Sequence, residues 1–131
     1  MGAQANLTNE KVIINTSLDE VVIRNYVAGI IGGRTLDVTG ITEPILKAGH
    51  VIIRDTETDT YKPMPVSGNA YDSLPENHEY VGVLRGSILT SKPLAAIMYN
   101  GEVNDVASPY PLDTIKEALK TAIPTLVFMH D

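Results

Sequence analysis

The sequence predicts a mostly β protein: a β-rich α+β fold with a small barrel-like or β-tulip-like body of short strands and one C-terminal helix over about 112–122. Three observations predict it. Short β-branched runs such as Val51-Ile52-Ile53 and Tyr80-Val81-Gly82-Val83 recur between turn-forming segments, which is the pattern of strands. Apolar residues make up 44% of the chain but aromatic residues only 5%, with no Trp and a single Phe, Phe128. The core is therefore built from Val, Ile and Leu, whose β-branched members favour sheets. Helical spacing shows near the C-terminus, where Leu112, Ile115, Leu119 and Ala122 share one face opposite Asp113, Lys116, Glu117 and Lys120.

Each element follows from local chemistry. Residues 1–10 are polar and small and read as an arm. The runs Lys11–Asn15 and Val21–Tyr26 read as two short strands with a turn between them. Ser17 and Glu20 have capping-box spacing and offer a competing helical start, but the valine- and isoleucine-rich runs are poor material for a surface helix. Gly29, Gly32 and Gly33 interrupt the pattern with a turn or bulge. A boundary falls there: residues 1–28 form an N-terminal arm or extra strands, and residues 29–131 a β-rich body. Leu36-Asp37-Val38 alternates as a short strand, ended at Glu43 by the ring of Pro44. The body continues as strand Val51–Arg54, turn Asp55–Asp59, a strand around Tyr61–Met64, and a long loop from Pro65 to Glu79. Strands Tyr80–Leu84 and Ile88–Leu89 follow. Asn100-Gly101 then predicts a hairpin joining Ala95–Tyr99 to Glu102–Val106, because both residues tolerate positive φ. Pro111 and Pro124 bracket the helix, and Leu126–Met129 is a last strand.

Composition and motif chemistry narrow the function classes. A chain of 131 residues is expected to form one domain whose core needs no disulfide or metal. The lack of cysteine excludes disulfide scaffolds, thiolate zinc sites and cysteine nucleophiles. A net charge of −6 with no basic cluster opposes nucleic-acid binding. No apolar run approaches the ~20 residues of a membrane helix, so a soluble product made in the cytoplasm is expected. Asp55-Thr56-Glu57-Thr58-Asp59 opens like a calcium loop, but Thr60 stands where the loop needs Gly and Val66 where it needs Glu. It reads as a solvated turn. His50, His78 and His130 lack second ligands at metal spacing and read as surface or strand-end residues. Neither Ser67 nor Ser87 sits in a Gly-x-Ser-x-Gly elbow, and Gly29–Gly33 fits no phosphate-binding fingerprint. The expectation is a protein that is not an enzyme and needs no cofactor or metal.

The order of these segments carries a resemblance. Gly49-His50-Val51-Ile52-Ile53 leads into Asp55-Thr56, then come Tyr61-Lys62-Pro63 and Tyr80-Val81-Gly82-Val83-Leu84, and finally Pro109-Tyr110-Pro111-Leu112 through Lys120 before a terminal strand. In this layout the body is similar to the lambda-type phage head decoration proteins, and Gly33–Gly40 resembles the lead-in of head fiber and capsid-stabilising proteins. The resemblance implies a non-enzymatic virion structural protein that binds the outer capsid surface as a homotrimer and stabilises the head, with the major capsid protein as partner. It also implies that the N-terminal arm touches the capsid, which makes Asn6, Leu7, Thr8, Val12, Ile13 and Ile14 the contact candidates. The region Lys11–Ala28 is longer and more strand-like than the family's arm, so extra strands, a trimer swap and the anchor itself stand as alternatives for residues 1–28. A second function class is a small oligomeric β-barrel ligand-binding module or enzyme with a site at a subunit interface. Its site would be lined by the polar loop Ser67–Asp72.

Overall fold

The structure, a computed structural model, describes residues 16–130. The run Lys11–Asn15 and the six contact candidates Asn6, Leu7, Thr8, Val12, Ile13 and Ile14 lie outside the described residues. The first described element is helix α1, Asp19–Val22, and it leads directly into strand β1, Ile23–Gly29. The expected strand at Val21–Tyr26 is thus helical in its first two residues. Ser17 is not the cap: the N-cap position is Leu18 and carries no side-chain cap bond. A tertiary tie outweighs the strand preference of Val21 and Val22. Asp19 accepts hydrogen bonds from Ser87 N–H at 2.9 Å and Ser87 Oγ–H at 2.6 Å, and Val22 is buried.

The main sheet is mostly antiparallel and runs in the order β1, β11 (Ile97–Val103), β8 (His78–Leu84), β4 (Val51–Asp55), β5 (Tyr61–Pro63). Strand β12, Leu126–Phe128, lies parallel beside β11 at Gly101–Val103. The sheet is open rather than a closed barrel, with β1 and β5 at the ends of the path. Three two-stranded ribbons complete the set: β2 (Arg34–Thr35) with β10 (Leu94–Ala95), β3 (Ile45–Leu46) with β9 (Ile88–Leu89), and β6 (Val66–Ser67) with β7 (Ala70–Tyr71).

Several expected elements differ. The strand around Leu36–Val38 reduces to β2 plus one parallel bridge from Leu36 to Tyr61. The segment Pro65–Glu79 is not a plain loop, because it contains the β6–β7 ribbon. Asn100-Gly101 is no hairpin turn and lies inside the continuous strand β11. Its glycine serves close approach instead: a Cβ there would sit 2.3 Å from the Asn25 carbonyl oxygen and 2.7 Å from Met98 Sδ.

Both faces of the sheet are covered, and the period-two alternation of strands sorts the side chains between them. Val51, Ile53, Val83 and Met98 face one cluster, where Leu112, Ile115, Leu119 and Ile123 pack with Val103 and Leu126. Ile52, Leu84 and Ile97 face the other, with Leu36, Leu46 and Ala95. Helix α2, Lys116–Ala122, is shorter than expected; its lead-in is a turn in which Lys116 N–H donates to the Leu112 carbonyl at 2.7 Å. Ala122 is exposed and Ile123 takes its expected place in the core.

Candidate functional site: the His50 cleft and the β1 edge

Residues Lys47–His50 form a tight turn that feeds β4. His50 N–H donates to the Lys47 carbonyl at 3.2 Å, and Gly49 N–H donates to Leu84 across the sheet at 2.7 Å. The turn needs Gly49 at φ +90°, a region costly for any residue with a Cβ. It drives the following side chain inward, so His50 is only 4% exposed, against the surface or strand-end position expected from sequence. Its ring meets Tyr71 at 5.5 Å and Tyr110 at 5.7 Å between centroids, and the two tyrosines meet at 5.5 Å, all edge to face. Edge-to-face packing sets the positive rim of one ring against the negative face of the next.

The polar atoms of this cluster are unequally satisfied. Tyr71 Oη accepts the Val51 N–H at 3.1 Å, and burial raises the Tyr71 pKa well above the usual phenol range. His50 Nε2 lies 3.1 Å from the Met64 carbonyl oxygen. A carbonyl can only accept, so Nε2 carries the proton. Burial, the main cause, lowers the His50 pKa, while the Met64 carbonyl and Glu43 act in the opposite direction. A neutral ring protonated at Nε2 leaves Nδ1 as an acceptor, and no group among the described residues bonds it.

His50 lines a cleft of about 490 Å³. One wall is the segment Gly40–Lys47, another is Met64 with Val66 and Gly68, and the third is Pro109 with Tyr110. Of the expected interface loop Ser67–Asp72, only Gly68 reaches this cleft, while Tyr71 lies beneath it in the ring cluster. Sequence reading missed the site because a lone histidine carries no local sign of burial. The available signal was Gly49 ahead of a run that is apolar at three successive positions.

The other candidate surface is the edge formed by β1. Its pairing partner is β11, and no strand among the described residues pairs its outer side. Val27 is 56% exposed on this strand, Ile31 is 94% exposed in the turn that follows it, and Leu94 is 62% exposed on β10. A Cβ at Gly33 would lie 3.7 Å from Leu94 Cδ1, so the turn and β10 are neighbours. The Arg85 guanidinium stacks 3.8 Å over the half-exposed Tyr26 ring, a cation–π contact that fixes the ring at this edge.

Several other polar groups have structural partners. Asp55 Oδ1 accepts the N–H groups of Glu57 and Thr58 at 2.8 and 3.2 Å, bonds that lower its pKa and commit the carboxylate to its own turn. Arg54 bridges Asp59 at 2.7 Å and also pairs with Glu79. Ser87 Oγ accepts the Ala48 N–H at 3.1 Å while donating to Asp19. His78 is half-buried at the start of β8, and exposed His130 reaches Asp105 at 2.8 Å. No group of three metal-binding side chains occurs among the described residues, and no helix among them is long and apolar enough to cross a membrane.

No protein-family model matches the chain, and searches of curated proteins and of solved structures find no match.

Proposed function

We propose that this chain is a non-enzymatic virion structural protein that binds the outer surface of a phage capsid as a trimer and stabilises the head. The observation that carries the reading is the open β1 edge with exposed Val27 and, beside it, Ile31 and Leu94. An unpaired strand edge with apolar side chains is a template for association unless something covers it. Neighbouring copies in a closed three-fold ring cover such an edge identically on every subunit. The resemblance of Gly49–Asp55, Tyr61–Pro63 and Tyr80–Leu84 to decoration proteins supports the same reading. Once many copies sit on a lattice, individually weak contacts add to firm attachment. The net charge of −6 keeps free trimers apart from one another and from DNA.

The test is solution mass by light scattering over a dilution series, followed by co-sedimentation with undecorated heads. A concentration-independent trimer that pellets with heads is expected. Removing residues 1–15, which include Asn6, Leu7, Thr8, Val12, Ile13 and Ile14, is expected to abolish pelleting. A full-length chain that never pellets with heads overturns the proposal.

A further inference from the structure

We infer that the cleft over His50 is a binding site for a small, uncharged aromatic molecule bearing a single N–H or O–H donor. The donor bonds His50 Nδ1 and the ring lies against Met64 and Tyr110. This inference stands independently of the capsid reading, because it uses different residues.

Four features define the ligand class. The volume of about 490 Å³ falls within the range of small-molecule sites. Ile41, Ile45, Leu46, Met64, Val66 and Pro109 line it together with Thr42, Glu43 and Lys47; the three polar residues are exposed whereas Leu46 and Met64 are buried, so the inner end of the cleft takes an apolar body. At the base the histidine has spent Nε2–H on the Met64 carbonyl, and Tyr71 Oη is committed to Val51. Nδ1 is thus an open acceptor and calls for one donor from the ligand. Finally, Tyr110 is half-buried and edge-on to both neighbouring rings, an arrangement to which an aromatic ligand can add in the same edge-to-face geometry. Glu43 and Lys47 are exposed at the rim and stay hydrated, so the buried base offers no charge to an ionic ligand.

The experiment uses the full chain and indole as the probe, with 1-methylindole as the matched molecule lacking the donor. Ring signals of His50 and backbone amides are followed by ¹H–¹⁵N NMR during titration. Indole is expected to produce saturable shifts at His50, Met64 and residues 40–47, and 1-methylindole to bind about tenfold more weakly, the value of one hydrogen bond. His50→Phe keeps an aromatic ring and removes the acceptor, so the two probes should then bind equally. Should that variant fail to fold, the comparison of probes on the natural chain decides alone. The inference is overturned by the lack of saturable shifts up to the solubility of indole, by equal affinity for both probes, or by shifts that map away from the cleft.

Discussion

Gly49→Ala is expected to destabilise the fold through one nameable collision, and that collision can be removed from the other side. A Cβ at residue 49 would sit 2.4 Å from Val22 Cγ1 but 3.7 Å from Val22 Cβ, with Pro109 Cδ at 3.2 Å. Val22 is buried on the four-residue helix α1 and is stiff at χ1, so it cannot rotate away freely. The φ of +90° adds a backbone cost of about 1–2 kcal/mol for a residue with a Cβ. Overpacking against Val22 adds about 1–3 kcal/mol. Together these come to about 2–5 kcal/mol, a fall in melting temperature on the order of 10 °C for a domain of this size. Val22→Ala alone should cost about 1.5–3 kcal/mol by leaving a void. In the double variant Cγ1 is gone, so Gly49→Ala should retain only its backbone cost and the close fit to Pro109 Cδ at 3.2 Å. Urea denaturation of the four proteins should then show a favourable coupling of about 1–3 kcal/mol. Additive effects, with coupling below about 0.5 kcal/mol, would refute the packing of α1 on the Lys47–His50 turn.

Three further outcomes follow from the same structure. Leu119→Ala, at a fully buried position on α2, should cost about 2–5 kcal/mol, whereas exposed Lys120→Ala should stay within about 0.5 kcal/mol; chemical denaturation separates the two. His50 titrates with a folded pKa lowered by burial, so its contribution is fully present above its unfolded pKa near 6.5 and is lost as pH falls towards the folded value. Stability should therefore decline below about pH 6.5 by up to about 1.4 kcal/mol per pH unit from this group, and His50→Gln should flatten that slope in denaturation series between pH 8 and pH 5. Asp105, held down to about 2 by Lys116 and then His130, acts in the same sense at lower pH: its contribution is present above about pH 4 and is lost as pH falls from there through about 2, so it does not interfere in that window. On the proposed trimer reading, Val27→Asp, on an exposed edge position, should lower the solution mass from trimer to monomer; an unchanged trimer mass would remove this edge from the interface.

The parts of the fold legible in the sequence are those where one local signal and the tertiary structure agree. Val51–Ile53 are apolar at every position because the sheet is covered on both faces, so a central strand reads as a continuous run. Leu112, Ile115 and Leu119 were recognisable because the helix and the turn that leads into it pack one apolar stripe into the core and leave Lys120 and Glu117 in water. The turn after β4 was legible because Asp55 satisfies its own backbone within the turn. Val21-Val22 misled because strand preference is worth a fraction of what the Asp19–Ser87 bonds and the burial of Val22 supply.

Asn100-Gly101 shows the same conflict at the centre of the sheet, and from there the sequence pattern reaches the candidate site. Strand β11 pairs with β1 and β12 around Gly101 and with β8 at Ile97–Met98. A turn at residues 100–101 would separate these ladders, whereas a continuous strand holds all three, so the glycine is used for its missing Cβ. Gly49 is the other glycine whose role lies beyond its immediate neighbours: its turn places Val22 on one side and sends His50 between Tyr71 and Tyr110 on the other. Those two tyrosines are 21 and 60 residues further along the chain than His50, and neither segment carries a local mark of the other. A site assembled from such distant positions is visible only once the sheet has brought β4, β7 and the segment before α2 together. The Gly49–Val22 cycle therefore tests the base of the cleft as well as the stability of the fold: loss of the coupling would also remove the argument that His50 is held inward by that turn.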